Sequence, residues 1–182
     1  MSNKTKLNVV GIIQARMGSS RLPGKVLMDI EGDYILARVF NRTSRASTLN
    51  TTIIATSTNK VDDPINQLAI KRGWDCFRGD EKDVLDRYYQ AARKYNSDVI
   101  VRITSDCPLI DPHIIDLVVD KFLISTEADY VGNTRFQPRT FPVGLDVDVI
   151  GFKALERAWI EDKNESWREH VAPYIYRNPD KF

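Results

Sequence analysis

The chain has 182 residues with 26 Lys+Arg against 25 Asp+Glu, a formal charge of +1, 42% hydrophobic and 28% charged residues, which is the size and balance of one folded globular domain and excludes disordered and fibrous classes. Near-zero net charge gives no whole-molecule attraction for nucleic acid, whose affinity depends on neutralising many phosphates, so any anion site is local. No apolar run approaches the roughly 18 residues needed to span a bilayer, Met1 to Asn8 contains no signal region, and Cys76 and Cys107 alone make neither a disulfide framework nor a four-ligand zinc site. A soluble cytoplasmic protein with reduced thiols, without membrane or nucleic-acid partners, is expected.

In chain order, a β-branched run at Val9 to Ile13 predicts a strand, and apolar residues three or four apart predict a helix over Tyr34 to Ser44. A strand follows at Thr52 to Thr56. Helices are predicted over Ile65 to Arg72, opened by Asp62-Asp63-Pro64 with a capping carboxylate, and over Val84 to Tyr95. Then come a strand at Val99 to Ile103, the cap Asp111-Pro112 and a helix over Ile114 to Leu123. Tyr130 to Gly132 and Val147 to Ile150 read as strands, separated by an irregular and mobile-looking stretch from Asn133 to Val143. The tail from Glu156 to Tyr176 has helical spacing but carries Trp159, Trp167, Tyr174 and Tyr176, more aromatic surface than a solvated helix displays, so something covers it. Alternating strands and helices predict an open, mostly parallel α/β sheet with helices on both faces. Ligands of such sheets bind beyond the carboxyl ends of the strands.

The loop after the first strand, Gln14-Ala15-Arg16-Met17-Gly18-Ser19-Ser20-Arg21-Leu22-Pro23-Gly24-Lys25, concentrates three cations, two glycines and two serines. Glycines let backbone amides approach phosphate oxygens, hydroxyls add donors, and Arg and Lys supply charge. A solvated basic turn has the same composition, but the position directly after the first strand favours a triphosphate cradle. It is neither a Walker A loop, because Val26 follows Gly24-Lys25, nor a G-x-G-x-x-G dinucleotide turn.

Q-A-R-M-G-S-S-R-L-P-G-K resembles the signature loop of the cytidylyltransferases, in particular the spore-coat polysaccharide and acylneuraminate type related to the CMP-Kdo and CMP-sialate synthetases. The likeness continues through Ala55-Thr56-Ser57, Arg78-Gly79-Asp80, Asp83 to Tyr88, Arg102 to Asp111 and Arg168-Glu169-His170-Val171, nearly the whole chain. The resemblance implies a Rossmann-like three-layer α/β/α nucleotide-diphospho-sugar transferase fold that binds CTP and Mg2+ and joins CMP to an acidic sugar, releasing pyrophosphate. It implies that Arg16, Arg21 and Lys25 surround the β and γ phosphates, with Gly18, Ser19 and Ser20 beside them. It also implies that groups near Gln14, Ala15 and the Arg78-Gly79-Asp80 turn receive the base.

Asp106 lies just past the strand predicted over Val99 to Ile103, on the same sheet edge as the loop. Magnesium takes hard oxygen ligands and is commonly held by one or two carboxylates plus substrate phosphates, and in the resembling enzymes this aspartate binds metal. Ser105-Asp106 as a mere helix cap is the competing reading, although Asp111 is better placed for that. Arg102, Arg135 and Arg139 are candidates for a sugar carboxylate. Asp146 and Asp148, alternating on one strand and so facing one side, are candidates for sugar or a second metal; read as a D-x-D motif they suggest instead a nucleotide-sugar-dependent glycosyltransferase. Cys107 and His170 are expected in the core rather than as nucleophile and base. Members of the resembling family continue beyond the position of Phe182 into a further strand and helix with an acidic metal-binding segment. A single domain over 1–182 lacking that part is therefore expected, either as a homodimer whose partner covers the aromatic tail or as a catalytically impaired nucleotide-binding or dimerisation module.

Overall fold

The computed structural model describes residues 6–19, 21–125, 127–134 and 139–182. Among the described residues eight strands occur: β1 (Val9–Gln14), β2 (Asp29–Ile30), β3 (Asp33–Tyr34), β4 (Thr51–Ser57), β5 (Asp75–Gly79), β6 (Val99–Thr104), β7 (Tyr130–Gly132) and β8 (Asp148–Gly151). The described residues also form the α-helices α1 (Ile35–Thr43), α2 (Asp63–Arg72), α3 (Val84–Lys94), α4 (Pro112–Ile124), α5 (Phe152–Glu161), α6 (Glu165–His170) and α7 (Pro173–Tyr176). The main sheet has the order β5-β4-β1-β6-β8-β7. β1 pairs in parallel with both β4 and β6, and β8 runs antiparallel to its neighbours β6 and β7.

The expected three layers follow from the period of two in the central strands. Val9 and Ile13 of β1 pack on one face with Leu36, Val39, Ile65 and Val119 from α1, α2 and α4. Val10 and Ile12 face the other way, against Leu85, Tyr88, Leu155 and Ile175 from α3, α5 and α7. Each fully buried Ile or Leu contributes about 1.5–3 kcal/mol through removal from water, so both faces must be covered. That requirement explains why the sheet is parallel at its centre: only crossover helices bring successive strands back in the same sense.

Three expectations change. The edge strand β5 and the β2–β3 hairpin escape notice because DCFRG, charged at Asp75 and Arg78, lacks apolar alternation, and the hairpin strands are two residues each. The helical tail is broken into α5, α6 and α7, and its aromatic surface is covered from within the chain. Trp159 stacks on Tyr89 at 4.1 Å and donates to Asp86 at 2.8 Å, while Tyr174 packs between Trp167 and Phe182. Asp111 caps α4 as expected, accepting from the His113 amide at 2.8 Å, but Asp62 makes no capping bond to α2 because its carboxylate is drawn elsewhere.

Asp116 of α4 ties the connection between α1 and β4, accepting from the amides and hydroxyls of Ser47 and Thr48. Burial pushes its pKa up, but these hydrogen bonds outweigh burial and the net shift is downward. A carboxyl depressed in the folded state stabilises above its unfolded value and loses that contribution as pH falls through the folded value. Asp116→Asn is therefore expected to lower stability at pH 7 by about 1 kcal/mol, with the difference from the unsubstituted protein vanishing below both values, measured by urea denaturation across pH.

Candidate active site

The residues after β1 form a tight loop held at one residue. The Met17 carbonyl accepts from the amides of Ser19 and Gly24, both at 2.9 Å, and the Met17 amide donates to Asp62 Oδ1 at 2.7 Å. Gly24 stands at φ 72°, in the left-handed region where a side chain is strained, and starts the single 3-10 turn that carries Lys25. Asp62, 1% exposed, also accepts from the Ser57 hydroxyl, so the carboxylate that the sequence offers as a helix cap instead joins the end of β4 to the loop. The part-buried Met17 amide gains a charged partner in this way, which outweighs the exposed cap that α2 forgoes. Asp62→Ala is expected to cost about 2–3 kcal/mol, since it strands the buried Ser57 hydroxyl and the part-buried Met17 amide, and to weaken nucleotide binding at least tenfold by releasing the loop. Urea denaturation and a nucleotide titration check both effects; unchanged nucleotide affinity in a destabilised protein would show that the anchor does not order the loop.

Between this loop, the end of β6 and α6 lies a cleft of about 280 Å³ lined by Gln14, Ala15, Arg16, Ser19, Arg21, Lys25, Val26, Val84, Arg87, Arg102, Thr104, Ser105, Asp106, Glu169 and His170. Two ion pairs cross it. Lys25 Nζ meets Asp106 Oδ2 at 2.5 Å, with side chains 25% and 39% exposed, and Arg16 meets Glu169 at 3.3 Å. Burial raises the Asp106 pKa, but the Lys25 and Thr104 hydrogen bonds and the Lys25 charge outweigh it and hold the carboxyl below the usual range. An ionised, half-open carboxylate facing a cation-rich loop is suited to a hard divalent cation, and among the described residues no cluster of three or more His, Cys, Asp or Glu offers a self-sufficient metal cage.

The cleft also gathers groups that lack partners. Of the buried side-chain atoms without a hydrogen-bond partner among the described residues, Gln14 Oε1, Arg87 Nε and Nη1, and Arg102 Nε belong to residues lining this cleft. Arg87 is 2% exposed and its pKa is pulled down by burial, with the nearby charge of Arg16 acting in the same direction. A buried guanidinium without a bonded counter-ion is costly unless a ligand supplies acceptors.

Gln14, Ala15, Arg16, Ser19, Arg21, Lys25, Arg102 and Asp106 thus come together as expected. Gly18 is exposed and does not line the cleft, and Ser20 and Arg135 lie outside the described residues. The Arg78-Gly79-Asp80 turn is also not among the lining residues. Arg78 pairs with Asp63 and donates to the Ser57 carbonyl, and Asp80 accepts from the amides of Asp83 and Lys82, hydrogen bonds that with the nearby Arg87 and Lys82 charges outweigh burial and leave its pKa lowered. Gly79 instead makes room for Arg87, whose side chain would lie 3.1 Å from a Cβ there.

Asp146 and Asp148 do not share a strand face. Pairing of β8 starts at Asp148 opposite Arg102; Asp146 precedes the strand and pairs with Arg139. Asp148, 4% exposed, accepts from Arg102 at 2.8 Å and from the Tyr130 hydroxyl at 2.5 Å. The two carboxylates therefore do not stand side by side on one strand face as the D-x-D reading expects, Asp148 being buried against Arg102 and Asp146 lying before the strand.

Arg87, Asp62, Glu169 and His170 are among the cleft and loop residues that the sequence did not single out for these roles. A signal existed for Arg87: it sits within the apolar spacing of Val84, Tyr88 and Ala91, a cation on the buried helix face. His170, expected in the core, is exposed at the cleft, because Val171 rather than His170 enters the core, at φ 70° and 0% exposed. This backbone conformation is strained for a β-branched residue, on the order of 1–3 kcal/mol. The segment is held by Arg168, which pairs with Asp83 at 2.7 Å and donates to the carbonyls of Trp159 and Asp162.

Residues 10–182 match the family model described as cytidylyltransferase. The spore coat polysaccharide biosynthesis protein SpsF of Bacillus subtilis is 32% identical over 178 residues, 94% of this chain and 71% of that protein. A 3-deoxy-manno-octulosonate cytidylyltransferase of Trichlorobacter lovleyi is 38% identical over 120 residues, 64% of this chain and 46% of that protein. The solved structure of a cytidylyltransferase from Leptospira borgpetersenii superposes with a TM-score of 0.90 at 38% identity, covering 97% of this chain and 74% of that one.

Proposed function

This chain belongs to the cytidylyltransferase family, and from that premise we propose that it transfers CMP from CTP to a hydroxyl of an acidic sugar with release of pyrophosphate. The observation that carries the reading is the Lys25–Asp106 pair, where a cation of the phosphate loop and an ionised carboxylate meet across one cleft. The acidic acceptor is supported by the 3-deoxy-manno-octulosonate cytidylyltransferase among the relatives.

In the proposed reaction the acceptor hydroxyl oxygen attacks the α-phosphorus and gives up its proton to solvent, the bond to the α–β bridging oxygen breaks, and pyrophosphate leaves with the electron pair. Arg16, Arg21 and Lys25 offset the charge that grows on the leaving group, and the loop pre-orients the chain of phosphates. Asp106 would hold Mg2+, which fits the residues present: one ionised hard-oxygen ligand suffices where substrate phosphates complete the shell. When bound, the ion would neutralise phosphate charge and draw electron density from phosphorus. Arg102, half-buried in the cleft with Nε free of a hydrogen-bond partner and Nη1 held by Asp148, is placed to take the sugar carboxylate.

The test is a pyrophosphate-release assay with CTP, magnesium and a panel of acidic and neutral sugars. Release that depends on an acidic sugar supports the reading. CTP binding without release under every acceptor would leave a nucleotide-binding module, and release with neutral sugars alone would remove the acidic substrate class.

A further inference from the structure

Among the residues lining the cleft, two carboxylates, Asp106 and Glu169, stand with five cations, Arg16, Arg21, Lys25, Arg87 and Arg102. Asp106 is used by the metal role proposed above; Glu169 is not used at all. A carboxylate beside a polyanion site repels the ligand, so its place there calls for a reason. Glu169 meets Arg16 of the first loop at 3.3 Å, and this contact is the one hydrogen bond of the Arg16 side chain among the described residues.

The chain places Glu169 there by deliberate means. α6 buries none of its residues, so burial does not fix it over the cleft. Arg168 holds it instead, paired with Asp83 and bonded to the carbonyls of Trp159 and Asp162. On the other side of Glu169 the strained Val171 turns the chain into the core, and such strain persists only where the surrounding structure imposes it. The Arg16–Glu169 pair also separates the cleft from an outer recess of about 420 Å³, since both residues line both spaces, with Glu81, Lys82, Glu165 and Ser166 completing the recess. Lys82 and Ser166 offer donors there to a carboxylate that has left Arg16.

Resting on the CMP-transfer reading above, we propose that Glu169 is an internal competitor of the leaving group. Arg16 gives up Glu169 to take the β or γ phosphate of CTP, and Glu169 reclaims Arg16 as pyrophosphate departs. While the cleft is empty, Glu169 offsets the repulsion that Arg16 meets from the other cations. It also subtracts affinity from each ligand that must displace it. Pyrophosphate is the ligand for which this matters, because the cations that stabilise it as a leaving group also retain it after the bond has broken, and product release then limits turnover. The exchange is one of ion pairs alone.

The test measures binding of pyrophosphate, CTP and CMP by titration calorimetry, at low ionic strength and without magnesium, to the unsubstituted protein and to Glu169→Gln. Loss of the competing charge is expected to tighten pyrophosphate and CTP about two- to fivefold, the range of an exposed ion pair, and CMP by less than about 1.5-fold. Glu165→Gln removes a charge from the same recess that is not paired with Arg16, and should change pyrophosphate binding by less than about 1.5-fold. In an Arg16→Ala background the gain from Glu169→Gln should disappear. In the assay with magnesium, pyrophosphate should inhibit Glu169→Gln at a concentration lower by about the same two- to fivefold factor. Unchanged pyrophosphate binding in Glu169→Gln would overturn this inference, and weakened binding would too, because Glu169 would then only preorder Arg16 or hold metal. An equal gain in Glu165→Gln would also overturn it, making Glu169 one background charge among several. Each of these outcomes leaves the CMP-transfer reading standing. Failure of CTP to bind the unsubstituted protein would overturn that reading, and this inference with it.

Discussion

Asp106→Ala is expected to lower kcat for pyrophosphate release by at least about 1000-fold while leaving the fold intact. A thousandfold corresponds to roughly 4 kcal/mol of transition-state stabilisation, the size expected when the carboxylate that would place a divalent cation at the reacting phosphate is removed. The fold should survive because Asp106 supports no helix. Its side chain is 39% exposed, its neighbour Asp111 supplies the cap of α4, and its ion pair is with Lys25 on a surface loop. Thermal melting should move by no more than about 2 °C. CTP binding without magnesium should be little weakened, because removing Asp106 takes a negative charge from the phosphate site and frees Lys25. The steady-state rate with magnesium, the magnesium-free CTP titration and the melting curve together decide the matter: an active Asp106→Ala protein would refute the assignment, and an unfolded one would show that Asp106 is structural.

Lys25→Ala is expected to weaken CTP binding by about 30-fold and CMP binding by less than about threefold. Charge-assisted hydrogen bonds contribute roughly 1.5–3 kcal/mol, and each 1.4 kcal/mol is a factor of ten in affinity. The difference between the two ligands carries the argument, since a lysine that serves the β and γ phosphates has nothing to hold in CMP. Equal losses for both nucleotides, measured by titration calorimetry, would place Lys25 at the α phosphate or the ribose. In the same variant the hydrogen bond and charge that depress the Asp106 pKa are gone while its burial remains. The Asp106 carboxyl should therefore titrate at higher pH than in the unsubstituted protein.

Much of the architecture was legible in short stretches. Val9–Gln14, Thr51–Ser57 and Val99–Thr104 are dense in β-branched residues, and the four helices before β7 carry apolar residues at helical spacing, so their type and order follow from local pattern. The loop from Gln14 to Lys25 was legible as a cation-rich segment at the carboxyl end of the first strand, and it lines the cleft there. Asp111 was legible as a cap because proline follows it. Elements without periodicity were not: β5 is a polar edge strand, and the tail's helices are interrupted by Asp162-Lys163-Asn164 and by Val171 in a conformation that a valine does not advertise.

By itself the amino-acid sequence determined the alternation of strands and helices, the concentration of cations in the first loop and the family, because each depends on residues within a turn or two of one another or on motifs in fixed order. Only the tertiary structure decided which charges meet. Lys25 finds Asp106 across 81 residues because β1 and β6 are adjacent in the sheet and end at the same edge. For the same reason Asp62, beyond the end of β4, is spent on the Met17 amide rather than on its own helix, and Arg87 turns its guanidinium into the cleft. Asp148 is withdrawn from it by antiparallel pairing opposite Arg102. The strand order sets these meetings, and strand order is a property of long-range burial on two faces of a sheet, which no local spacing encodes.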